Sequence, residues 1–207
     1  MTAELGQITP QTALGKAIVS LLAQDLSIES VLDIGCWNGM GTTLCIMTAM
    51  NLRKKALSCT AIEANKEFWE KAVKAWQFKV HPSHLQILYG RISKTMMTRL
   101  EIESHPLFSK VKPHYDLWYK QDCLDFQKAP LLTLDKTFDC VVMDGGEFCG
   151  VADLEAVLQM NPRYIFLDDV EVIKNIQNAV TLGKMGWEMV WHTKERNGSV
   201  LFRKKKT

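Results

Sequence analysis

The chain has 207 residues, of which 47% are hydrophobic and 23% are charged. This composition is typical of one soluble domain, because domains usually have ~100–200 residues, and we expect residues 1–207 to form a single unit. The net charge of +2 provides no strong field for nucleic acid or an anionic membrane. No apolar run approaches the roughly 18 residues of a membrane span, and the amino-terminal residues lack a signal-peptide pattern. The sequence therefore predicts a cytoplasmic protein with no membrane span.

The cysteines and histidines do not form a metal-binding pattern. Six cysteines are scattered through apolar segments, and no two have CxxC spacing: Cys36, Cys45, Cys59, Cys123, Cys140 and Cys149. The five histidines also lack the spacing of metal ligands. We therefore expect free thiols and no site for a soft metal.

Strand and helix patterns alternate along the chain after an amino-terminal helical segment, residues 1–29. Hydrophobic periodicity predicts helices at 10–24, 42–52, 66–76, 151–160 and 172–184. Apolar runs predict strands at 30–34, 57–62, 85–89, 138–143 and 164–167, then a hairpin of 187–193 and 199–203 around Asn197-Gly198. This order is typical of an α/β fold, a doubly wound Rossmann-like sheet that ends in an antiparallel hairpin.

Residues 93–137 have the least regular pattern. Three prolines stand there among several aromatic residues. One interpretation is an insertion that contacts the substrate, since long functional loops often lie beside sites on rigid strands. The other is an ordinary helical connection with a packed face.

The most informative motif is VLDIGCWNGMGT at 31–42, an apolar strand that ends near Asp33 and leads through glycines into a helix. Glycines at Gly35, Gly39 and Gly41 allow a sharp turn and a close approach of the backbone to a ligand. The spacing is GxxxGxG, whereas dinucleotide-binding proteins have GxGxxG. The motif favours a nucleotide-like ligand without a pyrophosphate; the alternative is a tight turn with no ligand.

Glu63 ends the next predicted strand. An open α/β sheet often places a carboxylate there to bind both hydroxyls of a ribose. By itself Glu63 would be weak evidence, because acidic residues often lie at helix starts and Asn65 begins one here. Together with the glycine motif, Glu63 at this position is a specific signal for a ligand that contains a ribose.

With these two motifs, the chain from residue 30 onward resembles the class I methyltransferases that use S-adenosylmethionine. The resemblance implies that the loop from Asp33 to Gly41 holds the methionine portion and the ribose. It also implies that Glu63 binds the ribose hydroxyls and that Gly90 and Arg91 lie near the adenine. The cofactor-binding residues predicted in this way are Asp33, Gly35, Cys36, Gly39, Gly41, Glu63 and Arg91.

Three carboxylates follow the last two parallel strands. Asp144 ends one strand, in FDCVVMDGGEF, and Asp168 and Asp169 end the other, in YIFLDDV. Carboxylates brought together repel one another, and a hard divalent cation such as Mg²⁺, or alternatively Ca²⁺ or Mn²⁺, would neutralise them. In the alternative interpretation, Asp168 or Asp169 caps the next helix and Asp144 contacts only the methyl donor.

The carboxylate arrangement resembles the metal-dependent O-methyltransferases that act on catechols or macrolide sugars. That resemblance implies metal ligation by Asp144, Asp168 and Asp169, and a catalytic base three positions after Asp144. Those families have Lys or His at that position, whereas this chain has Glu147. Glu147 could accept the proton, ligate the metal or bind a sugar hydroxyl. The combination of the DGGEF and LDD motifs also resembles a group of methyltransferases associated with glycan and polysaccharide assembly. This resemblance favours a sugar hydroxyl as the acceptor.

Other functions compete with this one. A ribose 2′-O-methyltransferase acting on RNA would also activate a hydroxyl, although the charge gives little support for phosphate binding. Amino-methylating enzymes need an Asp/Asn-Pro-Pro-aromatic motif after the fourth strand, which DGGEF does not provide. A non-catalytic cofactor-binding module has no need of clustered carboxylates. The loop spacing disfavours a nicotinamide oxidoreductase.

Overall fold

A computed structural model describes residues 4–81 and 83–205. The strands are β1 Ser30–Ile34, β2 Ser58–Glu63, β3 Leu85–Tyr89, β4 Cys140–Met143, β5 Tyr164–Asp168, β6 Glu188–Thr193 and β7 Ser199–Arg203. The helices are α1 Ala13–Gln24, α2 Thr42–Leu52, α3 Lys66–Trp76, α4 Arg99–Glu103, α5 Phe108–Val111, α6 Tyr115–Lys128, α7 Gly150–Gln159 and α8 Ile173–Lys184. Within this part of the chain no helix is long and apolar enough to cross a bilayer.

The seven strands form one sheet in the order β3-β2-β1-β4-β5-β7-β6. β1 to β5 are parallel, and β7 lies antiparallel between β5 and β6. This arrangement confirms the predicted doubly wound α/β fold with its carboxyl-terminal antiparallel hairpin. The chain runs outward in opposite directions from β1, toward β2 and β3 on one side and toward β4 and β5 on the other.

Both faces of the sheet are buried, which explains why the central strands β1, β4 and β5 are mainly apolar. Alternate residues of one strand belong to different cores: Val31 packs with α1 and α2 on one face, and Leu32 packs with α7 on the other. The buried core therefore has two layers of helix around one layer of sheet.

The irregular region 93–137 contains three helices, α4, α5 and α6. Thr98 and Glu101 form a capping box that starts α4, in which each side chain accepts from the other residue's backbone N–H. The aromatic side chains of Tyr115 and Phe148 pack edge to face, with ring centroids 6.0 Å apart, inside a third buried cluster. The region thus has an ordinary packed face, and it also supplies residues to the cavities described below.

The start of α7 packs against α8 at Gly150, where only glycine fits. A Cβ there would lie 2.1 Å from the backbone oxygen of Lys174. We expect Gly150→Ala to lower the free energy of unfolding by about 1–3 kcal/mol, because backbone atoms must separate. Gly183, near the end of α8, has no atom within 4 Å of its added Cβ. Gly183→Ala should therefore be neutral or stabilising by roughly 0.5 kcal/mol. Denaturant unfolding of both variants checks this; equal effects would contradict it.

Candidate functional site

The predicted site residues lie at the carboxyl ends of the parallel strands, around the crevice between β1 and its two neighbours. Ligands of open α/β sheets bind at this topological switch point. Two cavities open here, of about 250 Å³ (the first cavity) and about 600 Å³ (the second cavity). Gly35, Trp37 and Asp144 line both of them. The two cavities therefore adjoin at the ends of β1 and β4.

The loop after β1 has an unusual backbone. Gly35, Trp37 and Gly39 have φ angles of 82°, 50° and 78°, a region that non-glycine residues such as tryptophan adopt rarely. The backbone N–H groups of Gly35 and Cys36 both donate to the carbonyl of Ile62, at 2.9 and 3.1 Å. These bonds fasten the loop to the end of β2 and present Gly35 and Trp37 to both cavities.

The other predicted loop residues have different surroundings. Cys36 and Gly41 line the second cavity. Gly39 lines neither cavity among the described residues, and its carbonyl accepts a hydrogen bond from the indole Nε1 of Trp76 at 2.9 Å. Gly39 therefore fixes the loop to α3 on the side away from the cavities.

Asp33 is fully buried behind the loop. Its Oδ2 accepts a hydrogen bond from the Thr43 hydroxyl at 2.6 Å, and its Oδ1 has no hydrogen-bond partner among the described residues. Burial raises the pKa of Asp33 to about 6, although the hydroxyls of Thr43 and Thr42 oppose the rise. Because Asp33 lines neither cavity, the structure indicates a role in supporting the loop and α2.

Glu63 stands at the end of β2 and lines the first cavity. Its two carboxylate oxygens accept from the backbone N–H groups of Trp37 and Asn65 at 2.7 and 2.8 Å. Each oxygen can accept a second hydrogen bond, so a fixed carboxylate remains able to bind two hydroxyls. Burial raises the pKa of Glu63 to about 7, and the two N–H donors oppose this rise.

Arg91 also lines the first cavity, after β3. Its Nε donates to the carbonyl of Phe126 at 2.9 Å, and its guanidinium lies over the Phe126 ring, 3.9 Å from the centroid. The side chain also donates to the carbonyl of Ser93. Arg91 thus joins β3 to α6, and it forms the cavity wall as a guanidinium stacked on an aromatic ring.

Three acidic residues that sequence reasoning missed line the first cavity together with Glu63. Asp122 and Asp125 lie three residues apart on α6, and Asp153 lies on α7. The only sequence signal was the i, i+3 spacing of the first two, which places them on one helix face. Burial raises the pKa of Asp122 to about 6 and of Asp153 to about 7. Such a wall suits hydroxyl donors and a cation, and it would repel a pyrophosphate.

The three predicted metal ligands do come together. Asp144, Asp168 and Asp169 each offer a carboxylate oxygen within 4.8 Å of the others. Asp169 has a φ angle of 56°, which is rare for a non-glycine residue. The amide of Asn197 donates to Asp169 at 2.9 Å, and the Ser199 hydroxyl donates to Asp168 at 2.6 Å. The cluster is therefore built from three elements, β4, β5 and the start of β7 with its preceding turn.

Two basic side chains that the sequence analysis did not select lie within this cluster. The Lys174 ammonium is 2.6 Å from Asp144 Oδ1 and 3.3 Å from Asp169 Oδ2, and Arg196 Nη1 is 3.2 Å from Asp168 Oδ2. A sequence signal existed for Lys174, because a lysine in the first turn of a helix opposes the helix dipole unless acids lie nearby. Mg²⁺ binding stays a prediction, and Lys174 already contacts two of the three carboxylates.

Glu147 lines the second cavity together with Asp144, Asp169 and Lys174. Burial raises its pKa, and Lys174 partly opposes the rise. Residues 4–8 and Trp118 complete the wall. Among the described residues of the predicted amino-terminal helical segment, 4–29, only α1 is helical. Residues 4–8 precede α1 and lie against the loop after β1, where the Gly6 N–H donates to the Met40 carbonyl at 3.0 Å.

Comparison with known proteins finds no matching family model and no matching curated protein. Solved structures do match over nearly the whole chain. An O-methyltransferase from Bacillus cereus in complex with S-adenosylhomocysteine is 14% identical, with a TM-score of 0.56, over 97% of this chain and 84% of its own. A methyltransferase from Podospora anserina, also bound to S-adenosylhomocysteine, is 12% identical, with a TM-score of 0.57, over 93% and 78%.

The chain has the methyltransferase Rossmann-like fold. The same fold serves acceptors of other kinds, since a ribosomal protein L11 methylase from Lactobacillus delbrueckii subsp. bulgaricus matches over 96% of this chain and 82% of its own, at 10% identity and a TM-score of 0.51. At these identities the likeness establishes the fold, and the chemistry has to be argued from the site.

Proposed function

We propose that this protein is an S-adenosylmethionine-dependent O-methyltransferase that methylates a hydroxyl of a sugar or glycan. The observation that carries the proposal is the junction of the two cavities at Gly35, Trp37 and Asp144. An acid-lined cavity suited to a nucleoside meets a second, polar cavity that contains Glu147. A donor bound in the first cavity would have its reactive end at the entrance to the second.

The residues present fit S-adenosylmethionine, which supplies a methyl group on a sulfonium. Glu63 would bind the ribose hydroxyls, and Phe68, Arg91 and Phe126 offer flat surfaces for the adenine. The backbone of Gly35 and the walls of the second cavity near Cys36 and Gly41 would hold the methionine end. The surrounding carboxylates favour a cationic donor over the neutral product that remains after transfer.

The second cavity suits a hydroxyl acceptor. Charged and polar side chains line it, and Trp118 provides one aromatic wall on which a sugar ring or a phenol can stack. Burial raises the pKa of the Glu147 carboxylate, which makes it a stronger base toward the acceptor hydroxyl. In this proposal Glu147 is the general base and Asp144 orients the acceptor beside the donor.

Glu63→Gln should weaken S-adenosylmethionine binding by about tenfold or more, because a charged acceptor of two hydrogen bonds becomes neutral. Glu63 with a pKa near 7 is largely protonated below that pH in the free protein. Because the ligand's hydroxyls and sulfonium favour the ionised form, affinity should increase as the pH rises toward 7 and level off above it. Calorimetric titration from pH 5.5 to 8.5 measures both effects.

Glu67→Gln is the matched control, since Glu67 lies on the next helix with its side chain 74% exposed. It should leave both the affinity and its pH dependence unchanged. Absence of S-adenosylmethionine and S-adenosylhomocysteine binding to the wild-type protein would contradict the proposed function. Tight binding without methyl transfer to sugars with vicinal hydroxyls or to catechol would favour a non-catalytic module.

A further inference from the structure

Lys174 lies between two of the three carboxylates that were predicted to ligate a metal ion. Its Nζ contacts oxygens of both Asp144 and Asp169, which come from different strand ends. The Lys174 side chain is only 7% exposed. Contacts with two carboxylates at 2.6 and 3.3 Å favour the charged form of this side chain, which therefore lies between them as an ammonium ion.

The carboxylate oxygens are largely committed to protein donors. Asp168 accepts from Ser199 on one oxygen and from Arg196 on the other. Asp169 accepts from Asn197 on one oxygen and from Lys174 on the other. A Mg²⁺ ion needs near-octahedral coordination by oxygen, so it would have to break several of these bonds and expel a buried ammonium.

Two positive charges already offset two of the three negative charges of the aspartates without a metal. Three aspartates face Lys174 and Arg196, and each carboxylate has a basic nitrogen within 3.3 Å. A divalent cation added to this set would place two further charges beside Lys174, at a distance where repulsion is strong in a partly buried site. Lys174 and Arg196 therefore already reduce the repulsion between the three carboxylates, which was the reason to predict a metal ion there.

The backbone fixes Lys174 in this position. The start of α8 packs against Gly150 so closely that an added Cβ would meet the Lys174 carbonyl. The next residue, Asn175, donates to the carbonyl of Asp168 at 2.7 Å and thereby joins α8 to the end of β5. Lys174 is thus part of a rigid joint between α7, α8 and β5.

We infer that the Lys174 ammonium is the cation of this site and that the protein binds no divalent metal at Asp144, Asp168 and Asp169. Two of the three N–H donors of Lys174 have carboxylate partners, and the residue lines the second cavity. The third donor can bind an oxygen of the acceptor, a role that rests on the proposed function. Exclusion of the metal rests on the cluster alone.

The test is titration with Mn²⁺, followed by electron paramagnetic resonance and by the melting temperature, on the wild-type protein and on Lys174→Met. Wild type should bind no Mn²⁺ at the cluster and its melting temperature should not change. Lys174→Met keeps an unbranched side chain but leaves the carboxylates in excess, so it should melt lower, gain one Mn²⁺ site and recover by roughly 5 °C or more at saturating metal. Lys184→Met, on the exposed end of the same helix, should behave as wild type.

One bound Mn²⁺ in the wild-type protein that Asp144→Asn abolishes would overturn the inference, even if Lys174→Met did not fold. A folded Lys174→Met variant that gains no Mn²⁺ site would also overturn it, because the ammonium would not be what excludes the metal. S-adenosylmethionine titration of the same wild-type sample tests the proposed function separately, since donor binding in the first cavity does not require either result.

Discussion

Gly35→Ala should abolish measurable S-adenosylmethionine binding, with a loss of affinity of at least about a hundredfold, and lower the free energy of unfolding by on the order of 3 kcal/mol. Gly35 has a φ of 82°, and an ideal Cβ would lie 2.2 Å from the carbonyl oxygen of Asp144 and 2.6 Å from the Cα of Gly145. Both are backbone atoms, so the loops after β1 and β4 would have to separate. That separation would open the junction of the two cavities.

Gly186→Ala is the control for this prediction. Gly186 follows α8 with a φ of 83°, but no atom lies within 4 Å of its added Cβ. Gly186→Ala therefore introduces the same backbone strain without a steric clash. It should lower the free energy of unfolding by roughly 1 kcal/mol and leave the affinity for S-adenosylmethionine unchanged. Calorimetry and denaturant unfolding on both variants separate the two effects. If Gly35→Ala bound the donor like wild type, the ligand would have to lie away from the junction.

Glu147→Gln should lower kcat by about 10²–10⁴-fold and leave the affinity for S-adenosylmethionine unchanged. Glu147 lines the second cavity beside Asp144 and Lys174, and it is not among the residues that line the first. An amide has nearly the same shape but cannot accept the proton of the acceptor hydroxyl. The measurement is transfer of a labelled methyl group to sugars with vicinal hydroxyls and to catechol, with kcat and KM determined separately.

Glu155→Gln provides the comparison, since Glu155 is exposed on α7, five residues after the start of that helix. It should leave kcat and KM unchanged. A rise in KM at constant kcat in Glu147→Gln would show that Glu147 binds the acceptor and that another group takes the proton. Unchanged kinetics would remove Glu147 from the mechanism.

The bounds of β1, α2, α3 and β3 agree with the sequence prediction, because these elements carry strong local signals. β1 and β3 are mainly apolar, and Asn65 caps the start of α3, where its side chain accepts from the N–H of Phe68 at 3.1 Å. The region 93–137 lacked such a signal. Its helices α4 and α5 have only five and four residues, too short for a hydrophobic period to be visible.

The convergence of Asp144, Asp168 and Asp169 and the place of Glu63 beside the first cavity also followed from the sequence. Parallel strands end at one edge, so a residue at the end of each strand must lie near the others. That argument depends only on strand order and direction, which the alternation of elements already determined.

Only the tertiary structure decided what surrounds those carboxylates. Lys174 lies in α8, Arg196 in the hairpin turn, and Asp122 and Asp125 in α6. Their approach depends on how each helix packs on the sheet, including the close contact at Gly150, and no local pattern encodes it. Charge compensation in a buried cluster depends on distances of a few ångströms between side chains remote in sequence. For that reason the sequence predicted a cation at this site, and the structure showed a lysine there.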